Sequence, residues 1–131
     1  MEFCIEKPSV DEWLKEAKAL ECSGKIGMYL LHNGVVRSTA KAQVRLGETS
    51  MPVVGMHFSY DRQKVKAVLE AAQRIQGIYH VRLWLNEGNL SAGDDIMYLL
   101  VGGDIRPRVI EGLQYIVSRI KNECVTEQEQ Y

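Results

Sequence analysis

The sequence predicts a single α+β domain, in which a mixed or antiparallel β-sheet carries helices on one face. Two observations lead to this prediction. Segments with helical periodicity occur at about residues 9–23, 62–76 and 106–122, and runs typical of strands lie between them. Two of those runs follow each other directly before the last helix, which a repeating βαβ unit would not give. The length of 131 residues fits one domain, residues 1–131.

The first helix is predicted to begin after Ser9, whose hydroxyl can cap it, with Glu12 three residues later as in a capping box. Gly24 is expected to end this helix. Its apolar positions repeat at helical spacing: Trp13, Leu14, Ala17 and Leu20.

A basic loop follows the first strand, which is predicted over residues 26–32. The loop carries three cations and no acid nearby: Arg37, Lys41 and Arg45. In a chain whose net charge is -1, this local excess has two interpretations. It is either a site for an anionic ligand or a solvated surface loop, and the pattern alone leaves both open.

The middle of the chain predicts a strand and a helix. Residues 52–60 alternate as in a strand, and one face is expected to hold Val54, Met56 and Phe58. Asp61 is predicted to cap a helix over residues 62–76, and Gly77 is predicted to end it.

The last third predicts two strands and a helix. The strands cover residues 78–85 and 95–101, with a turn rich in Gly, Asn and Ser between them. The helix covers residues 106–122, with Pro107 in its first turn, where a missing N–H costs no hydrogen bond. The polar segment 125–131 is expected to fray.

Composition argues against several classes of protein. A net charge of -1 argues against attachment to nucleic acid through bulk positive charge. The three cysteines lack the spacing of a zinc site or a disulfide framework, so we expect no metal and a reducing, cytoplasmic location. No apolar run approaches the length of a membrane span, and the N-terminus lacks the pattern of a signal peptide.

Cationic residues at three places in the sequence are candidates for binding an anion. Arg37 offers a planar guanidinium suited to phosphate or carboxylate. Arg106 and Arg108 lie where a Gly-Gly break leads into a helix, whose first N–H groups and dipole favour anions. Lys121 lies near the end of the same helix, where it either complements the helix C-terminus or serves a site.

These residues, in this order, resemble the large, catalytic subunit of molybdopterin synthase. The family pattern Phe-x-Gly-x-Val-Arg matches the stretch from His32 to Arg37, with Gly34 at the glycine. Further along, the family has a Gly-Asp turn and an apolar strand, which match Gly93-Asp94 and residues 96–101. The family's His-Arg pair then matches Ile105-Arg106, and its lysine late in the helix matches Lys121. The resemblance runs from about residue 27 to the end of the chain.

The resemblance implies an α/β hammerhead-type fold and an enzymatic role. That family makes molybdopterin from cyclic pyranopterin monophosphate by installing a dithiolene. The sulfur arrives as a thiocarboxylate on the Gly-Gly tail of a ubiquitin-like small subunit, and the large subunit dimerises. The resemblance therefore implies a transferase of molybdenum cofactor biosynthesis in a heterotetramer. We expect no bound cofactor, and the charge and composition already argue against a nucleic-acid partner and a membrane.

Carried over by position, the resemblance assigns substrate binding to several residues. Arg37 and Arg106 match substrate-binding arginines, and Arg106 is expected to serve the pocket of the neighbouring protomer. Gly34 and His32 belong to the first matching motif and are substrate-binding candidates. Arg108 is a candidate to replace the hydrogen bonding of the family histidine, whose position holds an isoleucine in this chain.

The resemblance assigns catalysis to Lys121, which matches a lysine beside the incoming thiocarboxylate. A desolvated lysine flanked by arginines could transfer protons or attack covalently. The chain also departs from the family: Ile105 replaces the histidine, and His32 replaces the phenylalanine. A second catalytic lysine falls on Gln128, which cannot supply a titrating amine, and the C-terminal segment is shortened.

These matches and departures leave three functions open. The first is a divergent synthase that works through Lys121 alone. The second is a non-catalytic binding protein of the same fold, which holds a pterin phosphate or the small subunit's Gly-Gly tail. The third is a dimeric interaction module whose cations are ordinary surface residues.

Overall fold

The structure is a computed structural model and describes residues 1–39 and 52–131. A 3-10 helix, Glu21–Lys25, follows the first α-helix, and a π-helical turn, Ile120–Cys124, joins the last one to the final strand. The other described elements, in chain order, are β1 (Glu2–Cys4), α1 (Val10–Lys18), β2 (Met28–Val35), β3 (Gly55–Tyr60), α2 (Arg62–Ala72), β4 (Ile78–Leu85), β5 (Gly88–Ser91), β6 (Asp95–Gly103), α3 (Arg106–Arg119) and β7 (Val125–Gln130).

The described strands form two sheets. The larger sheet has the order β1-β4-β6-β2, and the smaller one has the order β5-β3-β7. β1 runs parallel to β4, and the other described pairs are antiparallel. The predicted α+β sandwich with a mixed sheet is therefore confirmed.

The larger sheet has two apolar faces, because side chains alternate along β4 and β6. Leu83 and Leu99 lie in one cluster with the apolar residues of α2 and α3, and both are 0% exposed. Trp84 and Leu100 point the other way and pack with Trp13 of α1. Thus α2 and α3 share a face as predicted. In contrast to the prediction that all helices lie on one face, α1 covers the opposite one, because its apolar residues Trp13 and Ala17 pack against the apolar side chains there.

Helix starts agree with the prediction. The Ser9 hydroxyl accepts a hydrogen bond from the backbone N–H of Glu12 at 3.4 Å. The Asp61 carboxylate accepts from the N–H groups of Gln63 and Lys64 at 2.9 and 3.2 Å. These side chains satisfy N–H groups that have no partner inside the first turn of a helix.

Helix ends and one strand start differ from the prediction. α1 ends at Lys18 instead of running to Gly24, because the backbone tightens there into the 3-10 helix. α2 ends at Ala72, although Gly77 does adopt the predicted left-handed conformation, with φ of 83°. β3 begins at Gly55, so Val54, expected beside Met56 and Phe58, is 62% exposed.

Three described strands were not predicted: β1, β5 and β7. The expected fraying of residues 125–131 is wrong, since Val125–Gln130 pairs antiparallel with β3 from Gly55 to Tyr60. A neighbouring strand satisfies the backbone groups of a polar segment, so polar side chains do not prevent pairing. β5 pairs with the other edge of β3, in the stretch predicted as a turn. Among the described helices, none is long and apolar enough to cross a membrane.

Candidate functional site

A cavity lies where β2, β6, the π-helical turn and β7 meet, and we call it the β2–β7 cavity. It consists of an inner hollow of about 70 Å³ and an outer hollow of about 200 Å³. Both hollows are lined by Val35, Ile96, Lys121 and Glu127. The inner hollow is also lined by Gly34, Phe58, Leu85, Met97, Ile120 and Val125. The outer hollow is also lined by Arg37, Met56 and Glu129.

Gly34 allows the elements around the inner hollow to approach each other closely. A Cβ atom added to Gly34 would lie 3.3 Å from Cγ of Met97 and 3.8 Å from Nε2 of His32. A side chain at this position would therefore crowd β6 and fill part of the hollow. The structure thus brings Gly34 and His32 together on one face of β2.

His32 supplies an unsatisfied polar atom close to the cavity. Its Nε2 is buried and has no hydrogen-bond partner among the residues that the structure describes. Burial lowers the pKa of His32, and the positive charge of Lys121 lowers it further. Both effects disfavour the charged imidazolium, so the ring is neutral at pH 7. One of its nitrogens then donates a hydrogen bond and the other accepts one.

Lys121 projects into the cavity from the π-helical turn. Such turns occur frequently at functional sites. The preceding residue, Ile120, is 0% exposed and anchors the turn in the core, whereas Lys121 is exposed. The expected desolvation of Lys121 is therefore absent in the chain by itself. A bound substrate or partner would have to exclude water from its amine.

Arg37 lines the outer hollow because the chain is held where it leaves β2. Val36 is 2% exposed, and its backbone N–H and C=O hydrogen bond to the β5–β6 turn at 2.9 and 2.8 Å. Within residues 1–39 and 52–131, neither Arg37 nor Lys121 forms an ion pair with an acid. The other two cations of the predicted basic loop, Lys41 and Arg45, lie outside the described residues.

β7 directs alternate side chains toward the cavity. Val125, Glu127 and Glu129 are half-buried, whereas Gln128 is exposed and pairs across the ladder with the exposed His57. Thus the position matched to a second catalytic lysine, Gln128, faces away from the cavity, and two glutamates face it. Sequence reasoning missed both glutamates. The period-two pattern that begins at the apolar Val125 could have revealed them.

Arg106 and Arg108 lie at the opposite end of α3 from Lys121. A rise of 1.5 Å per residue separates these ends by about 20 Å. Nη1 of Arg108 donates to Oδ2 of Asp104 at 2.7 Å, and Arg106 is exposed beside Ile105, itself 52% exposed. Neither arginine reaches the β2–β7 cavity of its own chain. Arg106 stays a prediction for a neighbouring protomer's pocket, and Arg108 stays a predicted replacement for the family histidine.

Comparison with known protein families adds to this geometry. The family described as MoaE protein matches residues 6–123 of the chain. The chain belongs to the MoaE family. Membership in MoaE places the chain in molybdenum cofactor biosynthesis. An uncharacterized protein of Methanocaldococcus jannaschii is 31% identical over 121 residues and covers 92% of both chains.

Solved structures show the same MoaE fold. A molybdopterin synthase structure from Staphylococcus aureus has a TM-score of 0.74 at 15% identity, and covers 98% of this chain and 89% of that one. A molybdopterin biosynthesis MoaE protein from Burkholderia ambifaria has a TM-score of 0.71 at 17% identity, with coverages of 99% and 82%. At these identities the likeness establishes the fold, and it confirms the fold class that the resemblance implied.

Proposed function

We propose that the chain is the large subunit of a molybdopterin synthase. It transfers sulfur from a thiocarboxylated ubiquitin-like small subunit to cyclic pyranopterin monophosphate. The observation that carries this proposal is the β2–β7 cavity. Arg37 and Lys121 project into it from elements that match the family pattern, and no described acid forms an ion pair with either.

The residues of the cavity suit an anionic substrate and an anionic sulfur donor. The guanidinium of Arg37 holds the substrate phosphate, for which its planar fork is well suited. The ammonium of Lys121 meets the thiocarboxylate of the small subunit's tail, and binding of tail and substrate removes the water around it. The neutral ring of His32 offers a hydrogen bond beside the reacting groups.

The proposal includes a second copy of this chain and two small subunits. The exposed Arg106, too far from its own cavity, would complete the pocket of the partner copy. A structure described as a complex of subunits 1 and 2 of molybdopterin-converting factor from Helicobacter pylori has the same fold, with a TM-score of 0.66 at 15% identity, and covers 98% of this chain and 82% of that one. The free thiols of Cys4, Cys22 and Cys124 support a cytoplasmic location.

A second candidate function is a non-catalytic binding protein of the same fold. The observation that favours it is the outward orientation of Gln128 and the presence of Glu127 and Glu129 on the cavity wall. A site with one lysine and two carboxylates is able to hold ligands even if sulfur transfer has been lost.

The test is reconstituted sulfur transfer. The purified chain is mixed with cyclic pyranopterin monophosphate and a thiocarboxylated ubiquitin-like small subunit, and the dithiolene product is measured by mass spectrometry. We expect product from the wild-type chain, none from Lys121→Ala and strongly reduced product from Arg37→Ala. Lys18→Ala is the matched control, because Lys18 is an exposed lysine at the end of α1.

The outcomes separate the functions. Full turnover by Lys121→Ala would remove the catalytic role of this lysine. No product from the wild-type chain, with substrate or small subunit still bound, would select the binding function. If the wild-type chain binds neither the substrate nor the small subunit, the remaining function is that of a dimeric interaction module.

A further inference from the structure

The β2–β7 cavity carries charges of both signs. Glu127 lines both hollows together with Lys121, and Glu129 lines the outer hollow together with Arg37. A ligand with negative charge at every edge would meet two carboxylates, and like charges in a partly enclosed site repel each other. The cavity instead suits a ligand with an anionic end and a separate edge that donates hydrogen bonds.

Apolar side chains between the charges suit a flat ring. Val35, Met56 and Ile96 line the outer hollow, and Phe58 and Met97 line the inner one. Ligand pockets are typically apolar, with a few polar groups that fix the orientation of the ligand. A planar heterocycle in this cavity would contact apolar walls with its faces and the charged residues with its edges.

Glu127 lies deeper in the cavity than Glu129, because it lines both hollows. Its cross-strand neighbour in β3 is Phe58, which is 1% exposed, so this part of β7 is fixed against the core. Glu129 lies opposite Met56 and lines only the outer hollow. The carboxylate of Glu127 is therefore the one that can meet a ring inserted to the inner hollow.

We infer that Glu127 recognises the 2-amino-4-oxo edge of a pterin ring and so orients the substrate. The 2-amino group and the N3–H of this edge point the same way, like the two donors of a guanidinium, and one carboxylate can accept from both. The phosphate at the other end of the ligand then lies toward Arg37, which lines only the outer hollow. This inference rests on the proposed function and adds a specificity-determining residue to it.

The test compares two ligands that differ only at this edge. They are 6-hydroxymethylpterin monophosphate and its lumazine analogue, in which an oxo group replaces the 2-amino group. Their dissociation constants are measured by isothermal titration calorimetry with the full chain. We expect the wild-type chain to prefer the pterin by about tenfold or more, because the analogue leaves a carboxylate oxygen facing an oxo group.

Three variants complete the test. Glu127→Gln should bring the two dissociation constants to within about twofold, because an amide no longer offers two acceptor oxygens. Glu127→Asp keeps a carboxylate and should retain part of the preference. Gln128→Ala changes the neighbouring residue on the outer face of β7 and should keep the full preference. Circular dichroism and thermal unfolding establish that each variant is folded.

The inference is overturned if the wild-type chain binds both ligands equally, binds neither, or keeps its preference in Glu127→Gln. Its failure can be told apart from failure of the proposed function. If the chain prefers the pterin but transfers no sulfur, the role of Glu127 stands and the proposed enzymatic function fails. If the chain transfers sulfur without preferring the pterin, the enzymatic function stands and the role of Glu127 fails.

Discussion

At the scale of single residues, Arg82 fastens three elements together. Its guanidinium donates from β4 to the carboxylates of Glu2, at 2.9 Å, and of Glu16. It also lies 5.4 Å from the ring centroid of Trp13. Only 14% of its side chain is exposed, and its hydrogen bond lowers the pKa of Glu2. This residue therefore holds β1 and α1 against the larger sheet.

Arg82→Ala is expected to lower the free energy of unfolding by about 2 kcal/mol, because it removes two charge-assisted hydrogen bonds and uncovers an indole ring. Urea unfolding followed by tryptophan fluorescence measures the change. Lys15→Ala is the control, since Lys15 is exposed and its pair with Glu12 at 3.7 Å contributes less than about 1 kcal/mol. Equal losses in the two variants would contradict the anchoring role of Arg82.

At the scale of elements, α2 depends on the cap at its start. The Asp61 carboxylate accepts from two backbone N–H groups of the first turn. The backbone N–H of Asp61 in turn donates to the carbonyl of Cys124 at 2.9 Å, next to the start of β7. The cap residue therefore connects α2 to the end of the π-helical turn that presents Lys121.

Asp61→Ala is expected to destabilise the chain by about 1 kcal/mol, because two N–H groups lose their partner. Asp61→Asn keeps a capping oxygen and should retain most of the stability. Glu70→Ala, at an exposed position of the same helix, should change it little. Chemical denaturation of the three variants side by side measures these differences. An asparagine variant as unstable as the alanine variant would contradict the prediction that the side-chain cap of α2 contributes this stability.

The sequence predicts some helices and strands better than others, because some depend on their own residue pattern and others depend on the strand beside them. α2, α3, β4 and β6 carry long periodic or apolar patterns, and the sequence predicts where each of them begins, although both helices end earlier than predicted. β1, β5 and β7 are short or polar, and each is defined by the strand beside it. Strand formation depends on such tertiary contacts more than on local preference. The glutamates of β7 were missed for the same reason.

At the scale of the whole molecule, the candidate site joins parts that are far apart in sequence. Family order allowed the prediction that His32, Gly34, Arg37 and Lys121 act together, and the structure brings them to one region. The predicted helix over residues 106–122 already places Arg106 and Lys121 at opposite ends. Sequence could not show which elements pack around Lys121, so it did not reveal that β7 brings Glu127 and Glu129 beside it.

One half-buried histidine, His32, and one buried histidine, His80, make the stability of the whole chain depend on pH. The pKa of His32 is lowered by burial and by Lys121. The pKa of His80, which is 8% exposed, is lowered by burial, Arg82 and the N-terminus, and Glu2 opposes the shift. As pH falls below the ordinary histidine value of about 6.5, the unfolded chain binds protons that the folded chain does not, so stability falls.

We therefore expect the free energy of unfolding to decrease as pH is lowered from about 7.5 to about 5.5, and to decrease less in a double variant, His32→Phe with His80→Gln. Urea unfolding across this range measures the two slopes. His32→Phe alone should remove only part of the dependence. Identical slopes in the wild type and the double variant would assign the pH dependence to other groups.

The π-helical turn also bears on how this protein could evolve. Side chains of a strand alternate between faces, so shortening the connection before β7 by one residue would exchange the two faces of that strand. Deletion of Asn122 would turn Thr126, Gln128 and Gln130 inward, and Val125, Glu127 and Glu129 outward. One in-frame loss of a codon would thus change three positions of the cavity wall at once, which point substitutions achieve only in separate steps.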